Sequence, residues 1–341
     1  MSFHGDLPTR LEYFQPDRPD NPEVRDSATF WVMDQSGALA LPRVTLDAIS
    51  NRWNHPNLQL NLVLADGRCA SLWTGEPGNI HMDPQGRAVA RSVGPLRFQC
   101  HEPFQHWSMS FNGAVTLLPA NPKRSDAVPL PSKPTPLAFS FEARMCVPPW
   151  LMGGVSDEAA EAMRSGGASA LMGGVRYEQL CRVQGWLRLA DRDYPVDGTG
   201  MRVRRQGVRQ MSAALGHCQL SALFPSGKAF GAIVMAPGPA QPPVFNEAFL
   251  YTPDEGRVPA RVVTAPWMKR LSSGDEDANL VLETPQGNVT IEGRTLLSLL
   301  DDEHFEMAAT AVLQQGTARY RWDGEETIGL LERCSLRSKL D

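Results

Sequence analysis

No run of apolar residues approaches the ~18–20 that a membrane-spanning helix needs. Positive charge is not in excess either, since 33 lysines and arginines stand against 38 aspartates and glutamates. A helical span, a nucleic-acid partner and an anionic membrane partner are therefore all without support. Residues 1–20 are polar and acidic and lack the apolar centre of a secretory signal, so a soluble, cytoplasmic protein is expected. Cys-x-x-Cys pairs are missing as well: Cys69, Cys100, Cys146, Cys181, Cys218 and Cys334 lie far apart. That spacing speaks against structural zinc and a disulfide framework and for reduced thiols. The chain is not disordered in composition, with 42% hydrophobic residues and a net charge of −5. Its 341 residues suffice for one large domain or two medium ones.

Several signatures of catalysis are also absent. There is no G-x-S-x-G and no phosphate loop. Gly198-Thr199-Gly200 is followed by no third glycine at the dinucleotide spacing. His101-Glu102 and His106 imitate a metalloprotease pair, but the histidines are five apart and Pro103 intervenes, whereas a helix needs i, i+4. Asp275, Asp277 and Asn279 resemble the start of a calcium loop, yet Leu280 stands where glycine is required and Gln286 where glutamate is required. Neither a metal nor a nicotinamide or other cofactor is expected.

What is present is strand periodicity. Leu58, Leu60, Leu62 and Leu64 alternate with Gln59, Asn61 and Val63 and run into Asp66-Gly67. Trp107, Met109 and Phe111 alternate with serines and reach Asn112-Gly113, which predicts a second hairpin turn. Leu280–Glu283 and Val289–Ile291 flank a turn-rich pentapeptide, and Ala318–Trp322 leads through Asp323-Gly324 into Thr327–Leu331. Repeated strand–turn–strand units without long helical patterns predict an all-β fold built of barrels or sandwiches. Prolines crowd residues 119–136, too densely for a central strand, and mark a connection between two β domains. A short helix is predicted over 156–164, with Ser156 as N-cap. Leu-Met-Gly-Gly-Val flanks it on both sides, at 151–155 and 171–175, as the hinges of a flap or as plain turns.

One segment combines charge with strand pattern. Asp197 to Arg209 carries Arg202, Arg204, Arg205 and Arg209 beside Gln206. In period two, Arg202, Arg204, Gln206 and Val208 share one face, and Val203, Arg205, Gly207 and Arg209 the other. Some guanidinium must face inward, where it needs acceptors or a ligand. A salt-bridge network with Glu178, Glu247 or Glu332 would serve; so would a functional site. His217 follows shortly after, suited to a general base or to a satisfied core position.

These residues resemble a known family. Gly198-x-Gly200-x-Arg202-x-x-x-x-Gly207-x-Arg209 is similar to the G-x-G-x-R-D-H-S-W-G-x-R stretch of lipocalin-like carotenoid 1,2-hydratase and AttH-type proteins. Tyr320-x-Trp322-Asp323-Gly324, then Gly329-x-x-Glu332-Arg333, resemble its closing hairpin and G-x-x-E-R-S ending. Phe30–Asp34, Asp66-Gly67-Arg68 and Trp107 with Asn112-Gly113 are similar to its first domain. The resemblance implies two consecutive lipocalin-like antiparallel β-barrel domains that bind hydrophobic ligands between or inside them. The Asp-His-Ser-Trp core of the family motif falls here on Val203, Arg204, Arg205 and Gln206. Val203 cannot donate a proton, so this chain resembles a relative acting on another compound, one with an anionic or carbonyl group suited to arginine.

The domains are expected at 1–136 and 137–341. The expected function is a cofactor-independent acid/base enzyme, a lyase, hydratase–dehydratase or isomerase, acting on a hydrophobic or aromatic small molecule. Arg205 and Arg209 would stabilise developing negative charge, and His217, Tyr177 or Glu247 would move the proton. Gln206, Arg204, Trp322 and Tyr320 would help to bind the substrate. The rival is a non-catalytic carrier that uses the barrels as a container. A homodimer is compatible with either.

Overall fold

The computed structural model describes residues 4–119, 133–165, 167–209, 216–236, 243–271, 274–301 and 310–340. The core of the proline-rich connection, 120–132, lies outside them. The protein is all-β with two barrel-like halves. Thirteen strands form one curled sheet: β1 (Val24–Asp34), β2 (Leu39–Ile49), β3 (Asn57–Leu64), β4 (Arg68–Gly75), β5 (Gly78–Met82), β6 (Ala88–Val93), β7 (Leu96–Glu102), β8 (His106–Val115), β9 (Leu118–Pro119), β10 (Thr135–Met145), β11 (Trp150–Leu151), β12 (Val175–Leu189) and β13 (Arg192–Val208). Their order is β5-β6-β7-β8-β10-β12-β13-β1-β2-β3-β4-β9, with β11 beside β12. Eight more close into a barrel in chain order: β14 (His217–Leu223), β15 (Ala229–Met235), β16 (Phe245–Thr252), β17 (Gly256–Thr264), β18 (Leu280–Thr284), β19 (Gly287–Asp301), β20 (Ala311–Trp322) and β21 (Glu325–Leu336).

The alternation along each strand decides what it buries. Leu58, Leu60, Leu62 and Leu64 all join the core inside the curled sheet, whereas Gln59 and Asn61 point out of it, toward the barrel. Asp66-Gly67 turns β3 into β4, and Asp323-Gly324 turns β20 into β21 with both residues at positive φ. Asn112-Gly113 makes no turn. Both residues stay within β8, paired with β10, because Leu137 and Ala138 supply a neighbouring strand along their whole length.

The sheets divide the chain later than expected. β10, β12 and β13 lie beyond residue 136 yet pair in the first sheet, so the first sheet ends at Val208 and the barrel begins at His217. The long hairpin β12–β13 is the reason. One face packs Cys181 and Val183 into the core of the curled sheet, and the other packs Leu180, Met201 and Val203 against the barrel. A third core, with Leu220, Phe230 and Tyr320, fills the barrel.

Between β11 and β12 runs a strap with two short helices, α1 (Asp157–Arg164) and α2 (Gly167–Met172). Ser156 caps α1 as expected, accepting from the Ala159 N–H at 3.1 Å. Gly173 and Gly174 then turn the chain into β12 at positive φ, and a Cβ on Gly174 would lie 2.5 Å from the Gln206 carbonyl. Both the conformation and the close approach require glycine there.

Candidate active site

The strand β13 sends its charges both ways. Arg202, Arg204 and Gln206 turn into the curled sheet, while Arg205 turns toward the barrel. No register shift interrupts β13 against β1 or β12. Gln206 therefore stays on the face opposite Arg205, and Gly207 makes no bulge to bring it across.

Facing the barrel, a polar layer fills the seam between the halves. Arg176, Arg205, the backbone of Ser27 and Asp47 lie in one row across β12, β13, β1 and β2. Arg25 pairs with Asp47 at 2.7 Å, and Arg176 with Glu178. Arg176 also donates to Gln219 Oε1 at 3.2 Å, and Gln219 Nε2 donates to Glu178 Oε1 at 2.8 Å. From the barrel comes Glu332, which pairs with Arg43 at 3.0 Å and with His217 Nε2 at 3.1 Å. Ser71, Asn61 and Gln315 continue the chain: Ser71 donates to Asn61, Asn61 to Gln315, and Gln315 to Glu332 at 2.5 Å. Eleven side chains from both halves thus line the seam in three bonded groups: Arg25–Asp47, Arg176–Glu178–Gln219, and the chain around Glu332. Arg43, Asp47 and His217 keep 17–23% of their side-chain surface open, so solvent reaches its mouth.

Its electrostatics are uneven. Burial alone would raise the Glu332 carboxyl, but Arg43, His217 and Gln315 outweigh it and hold the group well below the usual carboxylate range. Burial raises Glu178, and Arg176 only partly offsets it, so Glu178 holds a proton more readily than an ordinary glutamate. Arg205 is pushed well down by burial and then by Arg209 and Arg176, while Arg209 is pushed down to about 10 by burial, Arg176 and Arg43. Guanidinium groups are not deprotonated in proteins near neutral pH, so both are cations. Arg205 donates from Nε to the Met172 carbonyl at 2.8 Å and has no carboxylate partner among the described residues. Six buried polar atoms of this seam likewise find no hydrogen-bond partner among the described residues: Trp31 Nε1, Arg43 Nε, Asp47 Oδ1, Gln59 Nε2, Arg176 Nε and Glu178 Oε2.

Glu178 also borders a small cavity of about 10 Å³, whose wall includes Trp150, Leu180, Met201, Ser221 and Phe249. That volume is near the lower limit for one water molecule, so a larger ligand must displace a wall. β11 closes one side of the cavity through Trp150, and Trp150 Nε1 and, from the adjoining strap, the N–H groups of Gly153 and Val155 all donate to Glu247, at 2.8–2.9 Å. Glu247 therefore does not join the polar seam; it latches the strap to β16. Burial raises its carboxyl against the pull of these donors. Glu247→Ala should leave three donors without an acceptor, free the strap, and speed tryptic cleavage at Arg164 several-fold with little change in the β-sheet spectrum. An unchanged cleavage rate would mean that the carboxylate is not the latch.

Other expected site residues are placed elsewhere. Tyr177 lies on the opposite face of β12 and donates to Glu12, which also receives Phe104 N–H and Trp107 Nε1 at 2.8 Å and pairs with Arg202 at 2.7 Å. Arg204 binds Asp26 at 3.0 Å and the Ser27 carbonyl at 2.7 Å, and Gln206 reaches Asp26 and the Tyr13 carbonyl. These are closed networks inside the curled sheet. Tyr320 is buried in the barrel, donating to the Leu330 carbonyl at 2.9 Å, and Trp322 stacks edge-on to Phe224 near it. Both are too far inside the barrel wall to face the seam: they point inward where Glu332 points outward. Of the expected set, Arg205 and Arg209 lie near Arg176 and Arg43 on the curled-sheet side of the seam, and His217 lies on the barrel side, bound to Glu332. Arg43, Arg176 and Gln315 carried no motif to mark them, since they lie on β2, β12 and β20 and reach the seam only through packing of the two halves. Glu178 and Glu332 were legible only as acids that arginine would need.

The two-barrel fold is the lipocalin-like one seen in solved structures of AttH-like and hydratase proteins. The chain belongs to the family described as a domain of unknown function, DUF7064, which matches residues 10–337. Among solved structures it is similar to CghA in complex with Sch210972, at 11% identity and a TM-score of 0.59, covering 98% of this chain and 97% of that one. It is also similar to an AttH-like protein from Nitrosomonas europaea (14%, TM-score 0.53, 93% and 97% covered). Kievitone hydratase from Nectria haematococca is a third such structure (10%, TM-score 0.51, 97% and 93% covered). At these identities the likeness is one of fold. No curated protein matches the sequence. No helix among the described residues is long and apolar enough to cross a membrane.

Proposed function

We propose that this protein is an acid/base enzyme of the lyase, hydratase–dehydratase or isomerase kind, acting without a redox cofactor on a hydrophobic or aromatic small molecule held in the seam between the curled sheet and the barrel. One observation carries the reading: a carboxyl biased toward its protonated form (Glu178), a histidine tied to a firmly ionised carboxylate (His217–Glu332), and an uncompensated guanidinium (Arg205) share that seam. Environments that push two acids apart are how one site supplies both a proton donor and a base. Glu178 gives the proton, and its unpartnered Oε2 is the atom free to do so. His217 takes one, oriented by Glu332 through Nε2. Arg205 and Arg209 stabilise the negative charge that develops on a carbonyl or phenol oxygen, an interaction strengthened by their burial. Trp31 and Met201 supply apolar wall. Kievitone hydratase, which shares the fold, is a hydratase by name, which agrees with this reaction class.

A carrier needs only apolar lining, so the convergence of ionisable groups favours catalysis. Incubation with a panel of lignin-type aromatics, terpenoids and steroids, followed by chromatography and mass spectrometry, tests the choice. Gain or loss of water, or an isomer of shifted retention, is expected for at least one compound class. Compounds that bind tightly and return unchanged would establish the carrier instead.

A further inference from the structure

We infer that the outer face of the β7–β8 hairpin is a binding site for a divalent transition-metal ion such as Zn²⁺, held by His101, His106 and Glu142. It is separate from the seam and independent of the proposed reaction. On spacing, the two histidines look incompatible with a metal, because five residues and a proline part them. That rule holds for a helix, and here the segment is a strand–turn–strand. β7 ends and β8 begins around the turn, with Phe104 at positive φ and a register shift between Cys100 and Glu102. The shift brings the two imidazoles together, stacked with centroids 4.6 Å apart.

The third group arrives from the neighbouring strand. Glu142 on β10 reaches His106 Nε2 at 2.5 Å. One potential ligand atom from each of the three side chains lies within 4.8 Å of the other two. Two imidazoles and one carboxylate are the donor set of an open zinc site, with a position left for water. Rotamer adjustment is available, since Glu142 is 54% exposed and His106 19%.

The surroundings favour imidazole ligands in one respect and oppose the ion in another. The two imidazoles and the carboxylate come from β7, β8 and β10 and lie at the rim of the hairpin, where a cation meets groups of both signs. Arg97 and Arg144 are the neighbouring cations, and Glu102, paired with His106 across the hairpin, is the acid beside Glu142. Ser108 Oγ at 2.7 Å from His101 Nε2 and Gln99 Nε2 at 3.4 Å from Nδ1 are positioned to orient that ring. On its buried side the same hairpin donates Phe104 N–H and Trp107 Nε1 to Glu12. A metal outside would therefore clamp the hairpin that closes the Glu12 network inside, and binding should raise thermal stability by mass action.

The test is titration of the metal-stripped full chain with Co²⁺, followed by its visible absorption, and with Zn²⁺ by chelator competition. One equivalent of each is expected to bind. His101→Ala and His106→Ala should each weaken binding by on the order of 100-fold, Glu142→Gln by less, and His55→Ala, on a distant turn, not at all. The wild-type protein gives a second readout that needs no variant: histidine-selective NMR should show His101 and His106 shifting together on the first equivalent of Zn²⁺. Absence of one-equivalent binding, or binding that survives loss of both histidines, or shifts confined to other histidines, would overturn the assignment.

Discussion

Arg202→Met should destabilise the protein by about 3–5 kcal/mol, the cost of leaving a buried carboxylate without its cation. Glu12 and the Arg202 side chain are wholly shielded from solvent. Glu12 keeps its neutral donors, Phe104 N–H, Trp107 Nε1 and the Tyr177 hydroxyl, but loses the charge that balances it. Burial pushes the Glu12 carboxyl up, and Arg202 with the Tyr177 and Phe104 hydrogen bonds outweighs it, leaving the group below its ordinary value of 4.5. A depressed folded-state value means that this stabilisation is complete above about 4.5 and is lost as pH falls through the lower folded value. In Arg202→Met that acid dependence should shrink or reverse. The double variant Glu12→Gln with Arg202→Met should recover part of the loss, because no charge remains buried. Urea midpoints of the three variants between pH 3 and pH 7 measure all of this. A loss under 1 kcal/mol in the single variant would show that Glu12 draws its compensation from elsewhere.

Arg205→Met should behave in the opposite way: turnover on a compound found by the panel falls by ~10²-fold, the scale for one charge-stabilising donor, while stability changes little. Arg205 pairs with no carboxylate among the described residues, and the variant gives up one hydrogen bond, to the Met172 carbonyl, worth about 1 kcal/mol. Relief of repulsion from Arg209 and Arg176 offsets some of that. Glu178→Gln keeps the shape of the Arg176–Gln219 network but cannot deliver a proton, so it should lower turnover comparably and shift the acidic limb of the pH profile. Wild-type turnover in both variants would remove the seam from the mechanism. Large destabilisation in Arg205→Met, with turnover per folded molecule intact, would make the guanidinium a structural tie for the strap.

The contrast between these neighbours, Arg202 and Arg205, follows from the two-residue period of β13. One face of the strand is closed by acids from the N-terminal segment, Glu12 and Asp26. The other looks across the seam at the barrel. A three-residue step along one strand thus separates a structural cation from a candidate catalytic one.

Local pattern alone determined the all-β class, the hairpins at Asp66-Gly67 and Asp323-Gly324, the capped helix after Ser156, and the two faces of β13. Each depends on residues adjacent in sequence, and backbone period and turn chemistry operate at that range. The partners of those faces were decided only by tertiary structure. Glu12 meets Arg202 across 190 residues of chain, and Arg43 meets Glu332 across 289. Nothing near Glu12 marks it as a partner, because a short 3₁₀ turn, Thr9–Glu12, carries it into the sheet. Asn112-Gly113 misled for a related reason: a turn signal yields when a neighbouring strand satisfies the backbone on both sides of it. The His101–His106 pair lies on a hairpin, where the i, i+4 spacing rule of a helix does not apply and only the strand register decides how close the rings come. The place of the seam itself followed from β12 and β13 joining the first sheet, since hydrogen bonding between strands distant in sequence, not the proline-rich connection, sets where one half ends and the other begins.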